Sequence, residues 1–298
     1  MVMDVVLPKP GGYVLAVSGG VDSVSLLHIL QGKPGLKLTV AHFDHGIRAD
    51  SGQDRQFVES LTRRYGLPFV YDEGRLGPGA SEATARTARY RFLQKVKEAS
   101  EGQAIITAHH QDDVLETAII NLLRGTGRKG LTALSSRPGV VRPLLEVPKA
   151  ALLAYAEDQG LAWREDSTNQ NTDYLRNYVR HRLLTNFDGN DRAKLLDILH
   201  QSTATNRIVD KLLDRLINQQ SGDGQIDRLW FSQLPHAVAR EVLAAWLRAQ
   251  DMRSFDRQTL ERLVIAAKTA APGKSFPIKG GLSMHVQSDS LALVGLER

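Results

Sequence analysis

Tyr13–Leu30 reads YVLAVSGGVDSVSLLHIL. The opening Tyr13–Val17 is a short apolar run of the kind that forms a buried strand. From Val21 to Leu30 the apolar positions recur near 3.6 residues, the spacing of a helix. Ser18, Gly19 and Gly20 join the two. Successive glycines let neighbouring backbone N–H groups point into one concavity, and a helix N-terminus adds partial positive charge there. Ser18 and Ser23 bring hydroxyls suited to phosphate oxygens. Asp22 stands where a carboxylate can hold Mg²⁺ against those oxygens. This loop has neither the GxxxxGK[ST] spacing of a Walker loop nor the GxGxxG spacing of a dinucleotide fingerprint.

Working outward, Leu36–Phe43, Pro68–Tyr71 and Ala104–Ala108 are further apolar runs, with Val140–Val141 as a short fifth. Helix-period segments at Gln53–Tyr65 and Glu82–Ala99 separate them. Strands alternating with helices predict an α/β fold with a parallel sheet covered on both faces. Pro148 and Gly160 bracket another helix, by the preference for proline at the start and glycine just past the end. Beyond Asn190 the pattern turns mostly helical, at Arg192–Gln219, Phe231–Gln250 and Arg257–Lys268. The tail alternates around Gly280-Gly281 and Asp289, predicting short strands or a hairpin. The expected organisation is residues 1–188 as a nucleotide-binding domain, 189–220 as a helical connector, and 221–298 as a smaller, mostly helical C-terminal domain.

The chain has 298 residues and no cysteine, which excludes disulfides, thiolate metal sites and thiol nucleophiles. Its net charge of +5 permits a polyanionic partner without demonstrating one. No apolar run is long enough to span a bilayer, and the N-terminus lacks the order of a signal peptide, so a cytoplasmic protein is expected.

Further segments carry chemistry. In HHQDDVLE (His109–Glu116), Asp112 and Glu116 are i, i+4 at a helix opening with Asp113 beside them. Such carboxylates suit Mg²⁺ or a substrate ammonium, and equally suit helix capping. A metal held by His109, His110 and Asp112 would have no recognised ligand spacing. RGTGRKG (Arg124–Gly130) is basic and glycine-rich, a composition that fits a phosphate backbone or a bland surface loop. Arg176 and Arg180 lie on neighbouring turns, offering basic groups to tRNA or to a triphosphate. Asp44–Arg48 ends the second strand, where open α/β sheets place ligands. Arg86 and Arg89 share a helix face, and Glu165–Asn169 reads either as a site segment or as a cap.

The Ser18–Ser23 loop after a first strand resembles that of the PP-loop, or N-type, ATP pyrophosphatases. HFDHGIRADSGQD, SEATARTARYRFL, TAHHQDDVLETAIINLLRGTGRKGL and the RNxxRHxLL run at Arg176–Leu184 narrow the resemblance to the tRNA(Ile)-lysidine synthase family, over roughly residues 13–184. That family often has proline after RNxxRHxLL, where this chain has Thr185. The segment around LPHAVAREVLAAWLR is similar to the family's first C-terminal domain, and the chain is expected to be the compact form.

The resemblance implies a ligase that adenylates the wobble cytidine of a CAU-anticodon isoleucine tRNA with ATP and Mg²⁺, releases pyrophosphate, and joins L-lysine to C2. It implies ATP contacts from Ser18, Gly19, Gly20, Val21, Asp22, Ser23, Arg86 and His109, with the metal on Asp22. It assigns Asp113 and Glu116 to the lysine, which with Asp22 makes the catalytic set. It leaves Arg124, Arg128, Lys129, Arg176 and Arg180 to tRNA or phosphate, and the C-terminal domain to tRNA. Oligomeric state stays open, with a homodimer among the expectations. The alternatives are a PP-loop enzyme aminating a small-molecule carbonyl and a non-catalytic tRNA-binding module. A thiolase route through persulfide or cluster cysteines is closed by the absence of cysteine.

Overall fold

The computed structural model describes residues 3–46, 51–77, 79–135, 139–165, 175–222, 224–250, 252, 255–278 and 281–295. It divides into two compact units, residues 1–199 and 200–298.

The first unit alternates strand and helix: β1 (Gly11–Ala16), α1 (Val21–Leu30), β2 (Leu36–Asp44), α2 (Ser51–Arg64), β3 (Phe69–Glu73), α3 (Glu82–Ala99), β4 (Ala104–Ile106), α4 (Gln111–Leu123), α5 (Arg128–Leu131), β5 (Val140–Val141) and α6 (Lys149–Asp158). The strands form one sheet in the order β3-β2-β1-β4-β5, and every pairing is parallel. The period of two decides how its faces are used. Tyr13, Leu15 and Val17 face one core with Leu26, Leu27 and Leu30 of α1, Val58 of α2 and Leu152 of α6. Val14 faces the opposite core with Phe92, Leu93 and Val96 of α3. Burying each such side chain contributes roughly 1.5–3 kcal/mol, so both faces must be covered.

Helix ends follow local chemistry. Ser81 Oγ accepts from the Thr84 N–H at 3.1 Å and caps α3. Ser81→Ala is expected to cost about 1 kcal/mol, read as a small drop in the thermal midpoint of the first unit. Pro148 occupies the N-cap position of α6, and Gly160, at φ +58°, closes it.

After residue 174 come α7 (Leu175–Tyr178), a π-helical turn Val179–Leu183 and a 3₁₀ turn Leu184–Asn186. The expected single helical face there is therefore three kinds of turn. Val179 and Leu184 pack with Leu115 and Ile120 of α4 and with Leu196 and Leu199 of α8 (Gly189–Gln220).

In the second unit, β6 (Ser221–Gly222), β7 (Gln225–Asp227), α9 (Arg228–Gln233), α10 (His236–Ala249), α11 (Arg257–Thr269), β8 (Lys274–Ile278), β9 (Leu282–Val286) and β10 (Ser290–Gly295) follow. Its antiparallel sheet runs β6-β7-β10-β9-β8. The helix expected over Phe231–Gln250 is broken in two at Pro235, because proline disfavours helical backbone at the residue before it. Leu234 is accordingly extended, with ψ 141°. Trp246 and Phe231 are fully buried among Leu243, Leu263, Met284 and Leu291, and the Trp246 indole N–H donates to the Gly224 carbonyl at 2.9 Å. Among the described residues no helix is long and apolar enough to cross a membrane.

Candidate active site

The chain leaves β1 toward β2 on one side and returns to β4 on the other, so the ends of β1 and β4 flank a topological switch point, where open α/β sheets bind ligands. A cavity of about 290 Å³ lies there, lined by Ser18, Asp22 and Ser23 after β1, Asp44 and His45 at the end of β2, and His109 and Asp113 after β4. Gly19 has φ +98°, a conformation glycine tolerates and other residues rarely adopt. Gly20 precedes α1 with no side chain capping the helix, leaving its first N–H groups for a ligand. The Ser23 hydroxyl donates to the Gly20 carbonyl at 2.9 Å and lies 3.2 and 3.3 Å from the Ser18 and Gly19 nitrogens, holding the loop closed on itself. Arg164 straps the loop from outside. Its backbone N–H donates to the Gly19 carbonyl at 2.9 Å, while its guanidinium grips Asp54 at 2.7 Å.

Asp22 already has a cation. The Lys149 ammonium donates to its two carboxylate oxygens at 2.6 and 2.7 Å, and His110 Nε2 is 3.6 Å away. A lysine at the first position of a helix opposes the helix dipole, which was the one sequence signal that it serves something else. Asp112 is taken up structurally. It accepts the Lys149 backbone N–H at 2.9 Å, so it caps α6, and it pairs with Arg192 at 2.6 Å. Among the described residues no three histidines or carboxylates converge as a metal-binding set, so the His109–His110–Asp112 arrangement is not formed.

Asp113 and Glu116 do converge, one turn apart on α4. Glu116 is fully buried and takes the Arg180 guanidinium in a fork, at 2.6 and 3.0 Å. Arg176 stands 3.7 Å from both carboxylates. Both arginines thus face the acidic pair. Burial raises the Glu116 carboxyl above its ordinary range despite the Arg180 bond. Burial also pushes Asp113 up, but His110, His109, the His110 N–H bond and Arg176 together hold it below the usual carboxylate range. Two neighbouring acids are driven apart in this way.

His109 lines the cavity with Nδ1 2.8 Å from the Thr107 hydroxyl. Burial, against the pull of Asp113 and helped by Arg142 and Arg89, lowers it to about 3, so it is neutral at physiological pH. His42 of β2 also lines the cavity, bonded through Nδ1 to the Val17 carbonyl at 2.9 Å and lowered chiefly by burial. Of the α3 arginines, Arg89 lines the cavity, while Arg86 lies over the Tyr90 ring at 4.9 Å. Arg124, Arg128 and Lys129 sit away from the cavity lining, at the end of α4 and on α5. By letters Gly125–Gly130 matches GxGxxG, but it follows a helix and not a strand, so the fingerprint's context is missing. Asp44 folds back on its own turn, accepting the Gly46 N–H at 2.8 Å. Arg48 and Asp166–Asn169 lie outside the described residues.

Sequence reasoning passed over Lys149, Arg164 and Asp54. The last two carry no local signal, since a surface arginine and a helical aspartate are ordinary in isolation.

A PP-loop domain family model matches residues 5–187. A tRNA(Ile)-lysidine synthase of Solibacter usitatus is 36% identical over 94% of this chain and 66% of its own length. The same-named protein of Gloeobacter violaceus is 33% identical over 97% of this chain and 93% of its own. That of Thermus thermophilus is 44% identical over 56% of this chain but 34% of its own. The chain therefore spans just under two thirds of the first relative's length, nearly all of the second's and a third of the last's. Among solved structures, the U34-tRNA thiolase NcsA of Methanococcus maripaludis, with its [4Fe-4S] cluster, is similar with TM-score 0.53 at 16% identity, over 66% of this chain and 73% of that one. That likeness concerns the fold, and this chain has no cysteine to hold such a cluster.

Proposed function

The chain belongs to the tRNA(Ile)-lysidine synthase family of PP-loop proteins, and from that premise we propose that it joins L-lysine to C2 of the wobble cytidine of a CAU-anticodon isoleucine tRNA, consuming ATP. The observation that carries this reading is the meeting of a phosphate-type loop and one member of an acidic pair at one cavity, lined by Ser18, Asp22 and Ser23 and by Asp113, with Glu116 buried one turn further along α4. The cytidine O2 attacks the α-phosphorus, forming an O–P bond while the bond to the bridging oxygen breaks. That electron pair leaves on pyrophosphate. The lysine ε-amine then attacks C2 and expels AMP, a far better leaving group than the original oxygen.

The N–H groups at the start of α1, which no side chain caps, hold the phosphates. Mg²⁺ takes one or two carboxylates and completes its shell with phosphate oxygens and water. Asp22 at the cavity wall fits that demand and would hold the ion, which would neutralise phosphate charge. Asp113, kept ionised, draws in the lysine ammonium. Glu116, raised by burial, is the stronger base of the two and the better acceptor for the proton the amine must lose. Arg176 and Arg180 balance the pair's charge while no amine is bound. Arg124, Arg128, Lys129 and the second unit are read as tRNA contacts, supported by their charge. With tRNA and ATP as substrates the reaction belongs in the cytoplasm. Every group invoked comes from one chain, so the proposal stands for a monomer and a homodimer alike.

The test is pyrophosphate release from ATP with Mg²⁺, with lysine and a CAU-anticodon tRNA added separately and together. Release that needs the tRNA, with labelled lysine becoming tRNA-bound, is expected. Release driven by ammonia and a small acceptor would replace this reading with a small-molecule synthetase, and no release at all with a binding module.

A further inference from the structure

Lys149 starts from a fixed point, its backbone N–H on Asp112, and its side chain reaches across to grip both oxygens of Asp22. The pair is not a core interaction, since the side chains are 41% and 27% exposed. Partly exposed ion pairs add little to stability, so packing does not explain a bidentate contact made against a helix dipole. Its consequence is electrostatic. With the ammonium at 2.6 Å and His110 Nε2 at 3.6 Å, Asp22 is a compensated carboxylate, and a hard cation reaches it only by displacing Lys149. A lysine so displaced stays at the mouth of the phosphate loop on a flexible four-carbon stem.

Resting on the ATP-binding reading above, we infer that Lys149 is an exchangeable counter-ion. It neutralises Asp22 while the loop is empty and passes to the β- and γ-phosphate oxygens when nucleotide binds, releasing Asp22 for the metal. No bond to Lys149 forms or breaks beyond hydrogen bonds, and no proton moves. Two consequences follow physically. Asp22 takes up divalent cations poorly without nucleotide, and the ammonium lies beside pyrophosphate as charge develops on it.

Lys149→Met and Lys149→Arg test this by equilibrium binding, with Mn²⁺ as the metal probe, followed by electron paramagnetic resonance, and α,β-methylene-ATP as the nucleotide, followed by calorimetry. In Lys149→Met, Mn²⁺ alone should bind about tenfold tighter, and the nucleotide roughly 10–100-fold weaker, the worth of one charged hydrogen bond. Lys149→Arg should fall between this variant and wild type in both. Either affinity staying at the wild-type value in Lys149→Met, with cooperative thermal unfolding retained, overturns the inference. Asp22→Asn run alongside separates the two levels. If metal-dependent nucleotide binding survives in Asp22→Asn, the metal assignment itself falls. If it is lost there while Lys149→Met binds both probes like wild type, only the counter-ion exchange falls.

Discussion

Asp22→Asn is expected to lower pyrophosphate release by roughly 10²–10³-fold or more, the scale seen when one preorganised group is taken from a developing charge. The substitution keeps the shape of the side chain and removes its charge. Lys149 loses its partner, but it is 41% exposed and water replaces the contact, so folding is little affected. The tRNA-contacting arginines proposed above lie on other elements, so tRNA affinity should stay near wild type. Filter binding of tRNA and a pyrophosphate assay on the same preparation measure both. Wild-type turnover in this variant would show that Asp22 holds no essential cation.

The second large effect concerns stability. Arg180→Met removes the fork from Glu116, which has no solvent exposure of its own. Breaking a buried pair by deleting one partner typically costs about 3–5 kcal/mol, because a carboxylate is left buried without its counter-charge. The lower end applies here, since Arg176 remains 3.7 Å from Glu116. The pH dependence has a definite sign. Burial already raises the Glu116 carboxyl in the folded chain, and losing Arg180 removes its main lowering influence. An acid whose folded pKa lies above its unfolded value, about 4.3, stabilises the fold fully below that value, and this contribution is lost as pH rises through the folded pKa. Thermal midpoints of the variant should therefore fall further behind wild type from mild acid toward neutral pH. A gap that is constant or shrinks with rising pH would mean Glu116 is not the group left uncompensated.

Much of the first unit was legible because its determinants are local. Tyr13–Val17 and Leu36–Phe43 are apolar runs of strand length, and both faces of a parallel sheet must be buried. Local determinants also misled. Phe231–Gln250 keeps a helical period across Leu234-Pro235, and the period alone does not register the clash that proline imposes on its predecessor. At Arg176–Leu184 the letters fit a regular helix, whereas packing of Val179 and Leu184 against α4 and α8 accompanies a π turn followed by a 3₁₀ turn. The second unit's sheet was only partly visible, since strands as short as Ser221–Gly222 and Gln225–Asp227 carry too few residues for any period to register.

The shape of the Ser18–Ser23 loop is written along the chain, because it is a backbone property: Gly19 at φ +98° and a helix start without a side-chain cap depend on residues within six positions of one another. The spacing of apolar residues likewise specifies the parallel α/β architecture. Which charge meets which is settled in three dimensions. Asp22 and Lys149 are 127 residues apart, Asp54 and Arg164 are 110, and Glu116 and Arg180 are 64. A charged side chain has no period, and its partner is chosen by the order of strands in the sheet and the helices that cross between them. For that reason Arg176 and Arg180, read along the chain as an open basic face, turn inward in the fold onto the two carboxylates of α4.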